Sequence, residues 1–195
     1  MSRKTVLLIV FILLVGGGYA AVRFLWGLGG VPQAFTDARL KGALISQNIV
    51  NLSNESTLDL VKINEYEVRG NYTEALNLTT DVIKRSQEIR DQAVELSKRV
   101  EEMTRSLSDL DMLDARQAAL ESISNRLALL SRLINYSGYL GQLLDTLRSN
   151  FAGKTYDGKT VSFLIDQINS EVRAINSFNN QAGQAMDRFD KIVNK

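Results

Sequence analysis

The chain opens on an unbroken apolar stretch and then changes its pattern. From Thr5 to Val22 there is no charged residue, and Phe24, Leu25 and Trp26 prolong the run beyond Arg23. As a helix, a run of this length reaches across a hydrocarbon core. After the break Gly27-Leu-Gly-Gly-Val-Pro32, apolar residues recur at three- and four-residue steps up to the C-terminus, without the alternation of a strand. The expected fold class is all-α: an N-terminal transmembrane helix followed by an elongated antiparallel helical bundle, packed like a coiled coil. The expected divisions are a basic head at 1–4, a signal-anchor helix at 5–26, a flexible linker at 27–32 and a helical bundle domain at 33–195.

Within that domain the pattern predicts helices over about 33–52, 57–69, 72–107, 111–151 and 160–193. Phe35, Leu44, Ile45, Ile49 and Leu52 share one side of the first. Asn51–Thr57 reads as a break, because Ser56 with Asp59 three residues on resembles a capping box. At the next break Gly70 suits a left-handed helix end, Asn71 is placed to cap the following helix, and Glu74 to reach back. Val82, Ile89, Leu96, Met103 and Leu110 then recur every seven residues, with Ala93, Val100 and Leu107 as alternate members. The phase slips by one at Ser108–Asp114, where acids suit a tight turn that caps the next helix. It resumes as Leu113, Leu120, Leu127 and Ile134, with Ile123, Leu130 and Leu144 as partners. The last helix repeats the seam through Val161, Ile168, Ile175, Ala182 and Phe189, alternating with Ile165, Val172, Asn179, Met186 and Val193. Asn179 is its one polar member, either buried to fix register or placed where the helix splays.

Gly70-Asn-Tyr-Thr-Glu-Ala-Leu76 resembles the inter-helix turn of a tetratricopeptide repeat. The resemblance covers that turn alone, and no second copy follows at the period of such arrays, so it implies a helical hairpin. Three antiparallel helices, or four with the first hairpin arm, would bury the seams against one another. The alternative is that one or more seams stay open and make a homo-oligomer.

The flanks of the apolar run give its direction. Met1-Ser-Arg-Lys4 places positive charge before it, but Arg23, Arg39 and Lys41 nearly balance this on the other side. A very short basic head favours export, which puts the C-terminal domain outside the cytoplasm. Gly18-Tyr19-Ala20 is a small-x-small cleavage candidate, but the run is longer than a signal core and continues past it, favouring an uncleaved anchor. Tyr19 and Trp26 are interfacial rings, and Gly16, Gly17, Ala20 and Ala21 form two small-xxx-small pairs.

Composition narrows the chemistry. With 23 basic against 22 acidic residues, the chain lacks the basic excess of a nucleic-acid binder. It contains no Cys and no His. Thiolate and imidazole metal sites, Cys nucleophiles, lipobox anchoring and a Ser-His-Asp relay are thereby excluded. A eukaryotic secreted domain of this size would often carry disulfides, so the expected setting is a bacterial or archaeal envelope.

Four features look like chemistry. Gly153-Lys-Thr-Tyr-Asp-Gly158-Lys159-Thr160 matches the phosphate-loop pattern, but the residues before it read as helix, not as the buried strand such a loop needs. A glycine-rich turn with Thr160 as helix cap is the alternative. Asp109, Asp111 and Asp114 fail the calcium-loop spacing, because Leu113 occupies a ligand position. Glu101 and Glu102 point to different helix faces. Asn51, Asn54, Asn71, Asn77 and Asn135 each begin an N-x-[ST] sequon, read by default as a consequence of Asn- and Ser-rich composition. No residue is assigned a catalytic, cofactor-binding or metal role. The expected function is a membrane-anchored, non-enzymatic structural or interaction protein of the cell envelope. Its partners would be the lipid bilayer and, through the seams, itself or another envelope protein. An accessory sensory or ligand-binding module is the alternative, and nucleotide binding through Gly153–Thr160 a remote one.

Overall fold

A computed structural model describes residues 31–153 and 157–194. They form four α-helices: α1 (Gln33–Arg69), α2 (Tyr72–Arg105), α3 (Leu113–Phe151) and α4 (Gly158–Val193), with a 3-10 turn at Ser106–Asp109. No strand occurs among the described residues, and the fold class is all-α. The basic head, the apolar run at 5–26 with its small-residue pairs and cleavage candidate, and linker residues 27–30 lie outside the described residues. Among the described residues no helix is long and apolar enough to cross a membrane.

Cross-helix contacts fix the directions. Along α1 from Gly42 to Asp59, the partners on α2 retreat from Leu96 and Arg99 to Arg85. From Ser122 to Asn135 on α3, those on α4 retreat from Ala182 to Glu171. Arg39 and Phe35 near the start of α1 meet Asp190 and Phe189 near the end of α4. The chain therefore runs up, down, up and down, each helix packed on the next. One continuous apolar cluster runs through all four helices.

The expected break at Asn51–Thr57 does not form, and α1 continues through it. Ser56 Oγ donates to the Leu52 carbonyl at 2.8 Å and Thr57 Oγ1 to that of Ser53 at 3.0 Å, so both hydroxyls bond back along the helix. Asp59 does not cap: its carboxylate accepts from Lys62 and from Arg85 of α2, both at 2.9 Å. Pairing with α2 overrides the local cap signal.

Two turns form where expected, the first through Gly70 as expected, though the helix caps differ. Gly70 takes φ +76° and ends α1, its N–H donating to the Glu67 carbonyl and that of Asn71 to the Tyr66 carbonyl. Asn71 precedes α2 without a side-chain cap bond. Likewise Met112 stands at the cap position of α3, and the acids of Ser108–Asp114 do not cap it; Asp114 lies in its first turn. Arg116 closes this turn by donating to the Leu110 carbonyl at 2.5 Å.

The first series predicted for α4 is buried: Val161, Ile168, Ile175, Ala182 and Phe189. Of the second, Met186 and Val193 are buried but Ile165 and Val172 are half-buried, and Leu164, Glu171 and Ala185 pack inward beside them. Asn179 is half-buried. In α3 the predicted seam is half wrong. Ile123, Leu130 and Leu144 are buried, but Leu113, Leu120, Leu127 and Ile134 face solvent. The face that packs instead carries Ala115, Ala118, Ala119, Ser122 and Ser137. Small residues let α3 approach both neighbours closely: Ser137 Oγ donates to the Ser86 carbonyl of α2 at 3.0 Å, and Ser122 Oγ to the Ala182 carbonyl of α4 at 2.9 Å.

Gly42 of α1 faces α2, where an added Cβ would lie 3.4 Å from Leu96 Cδ1 and 3.6 Å from Arg99 Cβ, ordinary contact distances. Gly42→Ala should therefore raise stability by about 0.5–1 kcal/mol through helix propensity, read as a higher midpoint in thermal unfolding.

Candidate functional site

The phosphate-loop match lies between two helices. Gly153 takes φ +79° just past the end of α3, and Asp157 caps α4, its Oδ1 accepting from the Thr160 N–H at 3.0 Å. Thr160, expected to cap, instead donates its hydroxyl to Asp157 Oδ2 at 2.6 Å. These two bonds from Thr160 hold the Asp157 carboxyl below its usual value. Residues 154–156 lie outside the described residues. A phosphate cradle requires a strand feeding the loop, and here α3 feeds it.

Beside this turn is a cavity of about 320 Å³ lined by Glu67, Tyr72, Asn150, Phe151 and Gly153. It forms where the end of α1, the start of α2 and the end of α3 converge. The Tyr72 and Phe151 rings lie 6.2 Å apart, tilted by 33°. Burial pushes the Glu67 carboxyl up, and Asn150 Nδ2 is buried without a partner. The acid and the two rings suit a small organic cation, held by charge and by the ring faces. Of these residues only Gly153 was marked in the sequence, because contacts between distant helix ends leave no local pattern.

Two polar clusters lie between the helices. Burial pulls the Asp59 carboxyl up, but hydrogen bonds from Lys62 and Arg85 and their charges outweigh it, and the net value lies below the ordinary 3.8. A depressed carboxylate contributes its stability above the unfolded value and loses it as the pH falls through the folded one. Denaturant midpoints should therefore fall on acidification below about pH 4, and Asp59→Asn should flatten that limb. The second cluster is Arg126 of α3. It is half-buried by area, yet its Nε is sealed from solvent, with neither an acceptor nor an ion pair among the described residues. Burial, then the charge of Arg39, lowers its pKa to about 10. Arg39 itself makes a bidentate pair with Asp190, at 2.6 and 2.7 Å.

The other marked residues resolve into helix geometry. Glu101 pairs with Arg105 and Glu102 with Arg99, on separate faces. Among the described residues no group of three or more acidic side chains is placed to hold a metal ion, Asp109, Asp111 and Asp114 included. All five sequon asparagines are exposed, while Ser53, Ser56, Thr79 and Ser137 two residues on are buried. Residues two apart lie on nearly opposite helix faces, so the spacing places Asn in water and a small hydroxyl at a helix contact.

Large apolar residues also meet solvent: Leu44, Leu58, Val61 and Val68 on α1 and a regularly spaced stripe on α3. Leu113, Leu120, Leu127 and Ile134 are 72, 50, 51 and 44% exposed, one every seven residues. No family model, curated protein or solved structure matches this chain.

Proposed function

We propose that the chain is a membrane-tethered helical interaction protein of a bacterial or archaeal envelope, without catalytic activity. The apolar segment 5–26 serves as an uncleaved anchor, and the bundle stands outside the cytoplasm. The observation that carries this reading is the α3 stripe. Four large apolar residues recur on one outer helix face, with Gln117, Ser124 and Ser131 between them, and exposed apolar surface of this kind marks contact surfaces. The aligned stripe is the kind of open seam that a heptad pattern allows.

The test is site-specific photo-crosslinking in native membranes. A benzoylphenylalanine at Gln117 or Ser124, beside the stripe, should give discrete adducts that the same probe at exposed Asn54 of α1 does not. Equal labelling at all three positions would sink the reading. For the orientation, an alkaline-phosphatase fusion at the C-terminus should be active on the far side of the membrane.

A second reading, an accessory ligand-binding module, draws support from the cavity at Glu67. Tetramethylammonium, as a probe cation, should shift the Tyr72 signals in NMR spectra. Glu67→Gln should weaken that shift.

A further inference from the structure

We propose that the outer face of α3 pairs with the same face of a second copy of this chain. The inference rests on the interaction reading above and names the partner.

A strict seven-residue spacing constrains what can cover the stripe. A straight α-helix drifts about 20° per heptad from such a repeat, so the four residues stay on one line of contact only against another helix that coils with them. A helix with the same period matches that line, and α3 of a second copy presents one. The stripe is also complementary to itself. Gln117, Ser124, Ser131 and Gly138 stand four residues after each large member. Three of these four are small, so the face offers both apolar knobs and shallow holes.

Charge favours the same partner. Along the stripe from Leu113 to Ile134 the exposed charged residues of α3 are Asp114, Glu121 and Arg132, and Arg132 is already paired with Glu171 of α4 at 3.7 Å. Glu121 is likewise held by Arg188 of the same bundle. Two such faces meet without a row of like charges opposed, and depletion of charge is the mark of an interface centre. By contrast, α2 carries charged side chains along its whole exposed face.

Size sets the strength. From Leu113 to Ile134 the stripe runs about 32 Å at the rise of an α-helix. Pairing along that length buries an area near the lower edge of stable interfaces, about 1,200 Å² in total. The result is a weak dimer, which co-tethering in one membrane strengthens by raising the local concentration.

The natural absence of Cys makes the test direct. Single variants of the full chain are prepared as Leu120→Cys and Leu127→Cys on the stripe, with Leu58→Cys on α1 and Phe163→Cys on α4 as equally exposed controls. Under mild oxidation, Leu120→Cys, Leu127→Cys or a mixture of the two should form disulfide-linked dimers while the controls stay monomeric. Leu120→Glu with Leu127→Glu should abolish cross-linking through a cysteine at Ser124 while leaving the helical circular dichroism unchanged. Dimers formed equally by the controls, or none from the stripe cysteines, would overturn self-pairing. If dimers are absent but the photo-probe at Ser124 still captures a different protein, self-pairing fails and the interaction reading stands. If both are silent, both fail.

Discussion

Phe189→Ala is expected to cost about 3–5 kcal/mol of stability, the largest loss from any single truncation we foresee. The ring is fully buried and sits 5.2 Å from that of Phe35, tilted by 35°. Close by, Arg39 and Asp190 form their bidentate pair with each side chain only 14% exposed. Together these contacts close α4 onto α1 at one end of the bundle. Removing the ring leaves a cavity beside Phe35, and the long helices on either side relax little to fill it. At about 2–4 °C per kcal/mol for a domain of this size, the melting midpoint should drop by roughly 10 °C. Phe189→Leu, which keeps most of the volume, should lose less than half as much. A midpoint unchanged by Phe189→Ala would show that the closure contributes nothing.

The second large effect has the opposite sign. Arg126→Met should raise stability by about 1–2 kcal/mol. The guanidinium has a sealed Nε, no acidic partner among the described residues and the positive Arg39 nearby. A partly buried charge without a counter-charge costs more than an apolar side chain of similar length. Methionine keeps the stem and discards the charge. Denaturant titration at neutral pH reads the change directly, and a loss of stability would show that the guanidinium has a favourable role the folded contacts do not account for.

The heptads were legible where one helix face holds most of the large apolar residues. That is the case in α2, where Val82, Ile89, Leu96 and Met103 are buried, and for the series Val161, Ile168, Ile175, Ala182 and Phe189 of α4, although Phe163 is exposed. The reading failed in α3 because two seven-residue series run along that helix on different faces. A hydrophobicity pattern favours leucine over alanine and serine. Packing chose the reverse, because the contacts through Ser86 and Ser137, and through Ser122 and Ala182, need small side chains between close backbones. Leu113, Leu120 and Leu127 were left on the outside, while Leu130, Leu133, Leu140, Leu143 and Leu144 pack inside.

The α1 error has a related origin. Asn51–Thr57 is rich in residues that compete for backbone hydrogen bonds, and locally they favour a break. What holds the helix straight is a partner 26 residues away, Arg85, which the local pattern does not contain. The cavity at Glu67 was illegible for the same reason. Its walls come from three separate helix ends, brought together by the fold alone. In the phosphate-loop match, the letters of the motif were present and its strand was not, a distinction that reading the preceding residues as helix already contained.

The closure between Arg39 and Asp190 joins residues 151 positions apart. A ribosome delivers the chain from its N-terminus, so the first turns of α1 emerge long before their partners on α4 exist. Until Phe189 is released, Phe35 has no ring to rest against, and the bundle stays unlatched at that end. Final docking is thereby deferred until α4 has been synthesised and the first helix can settle against it.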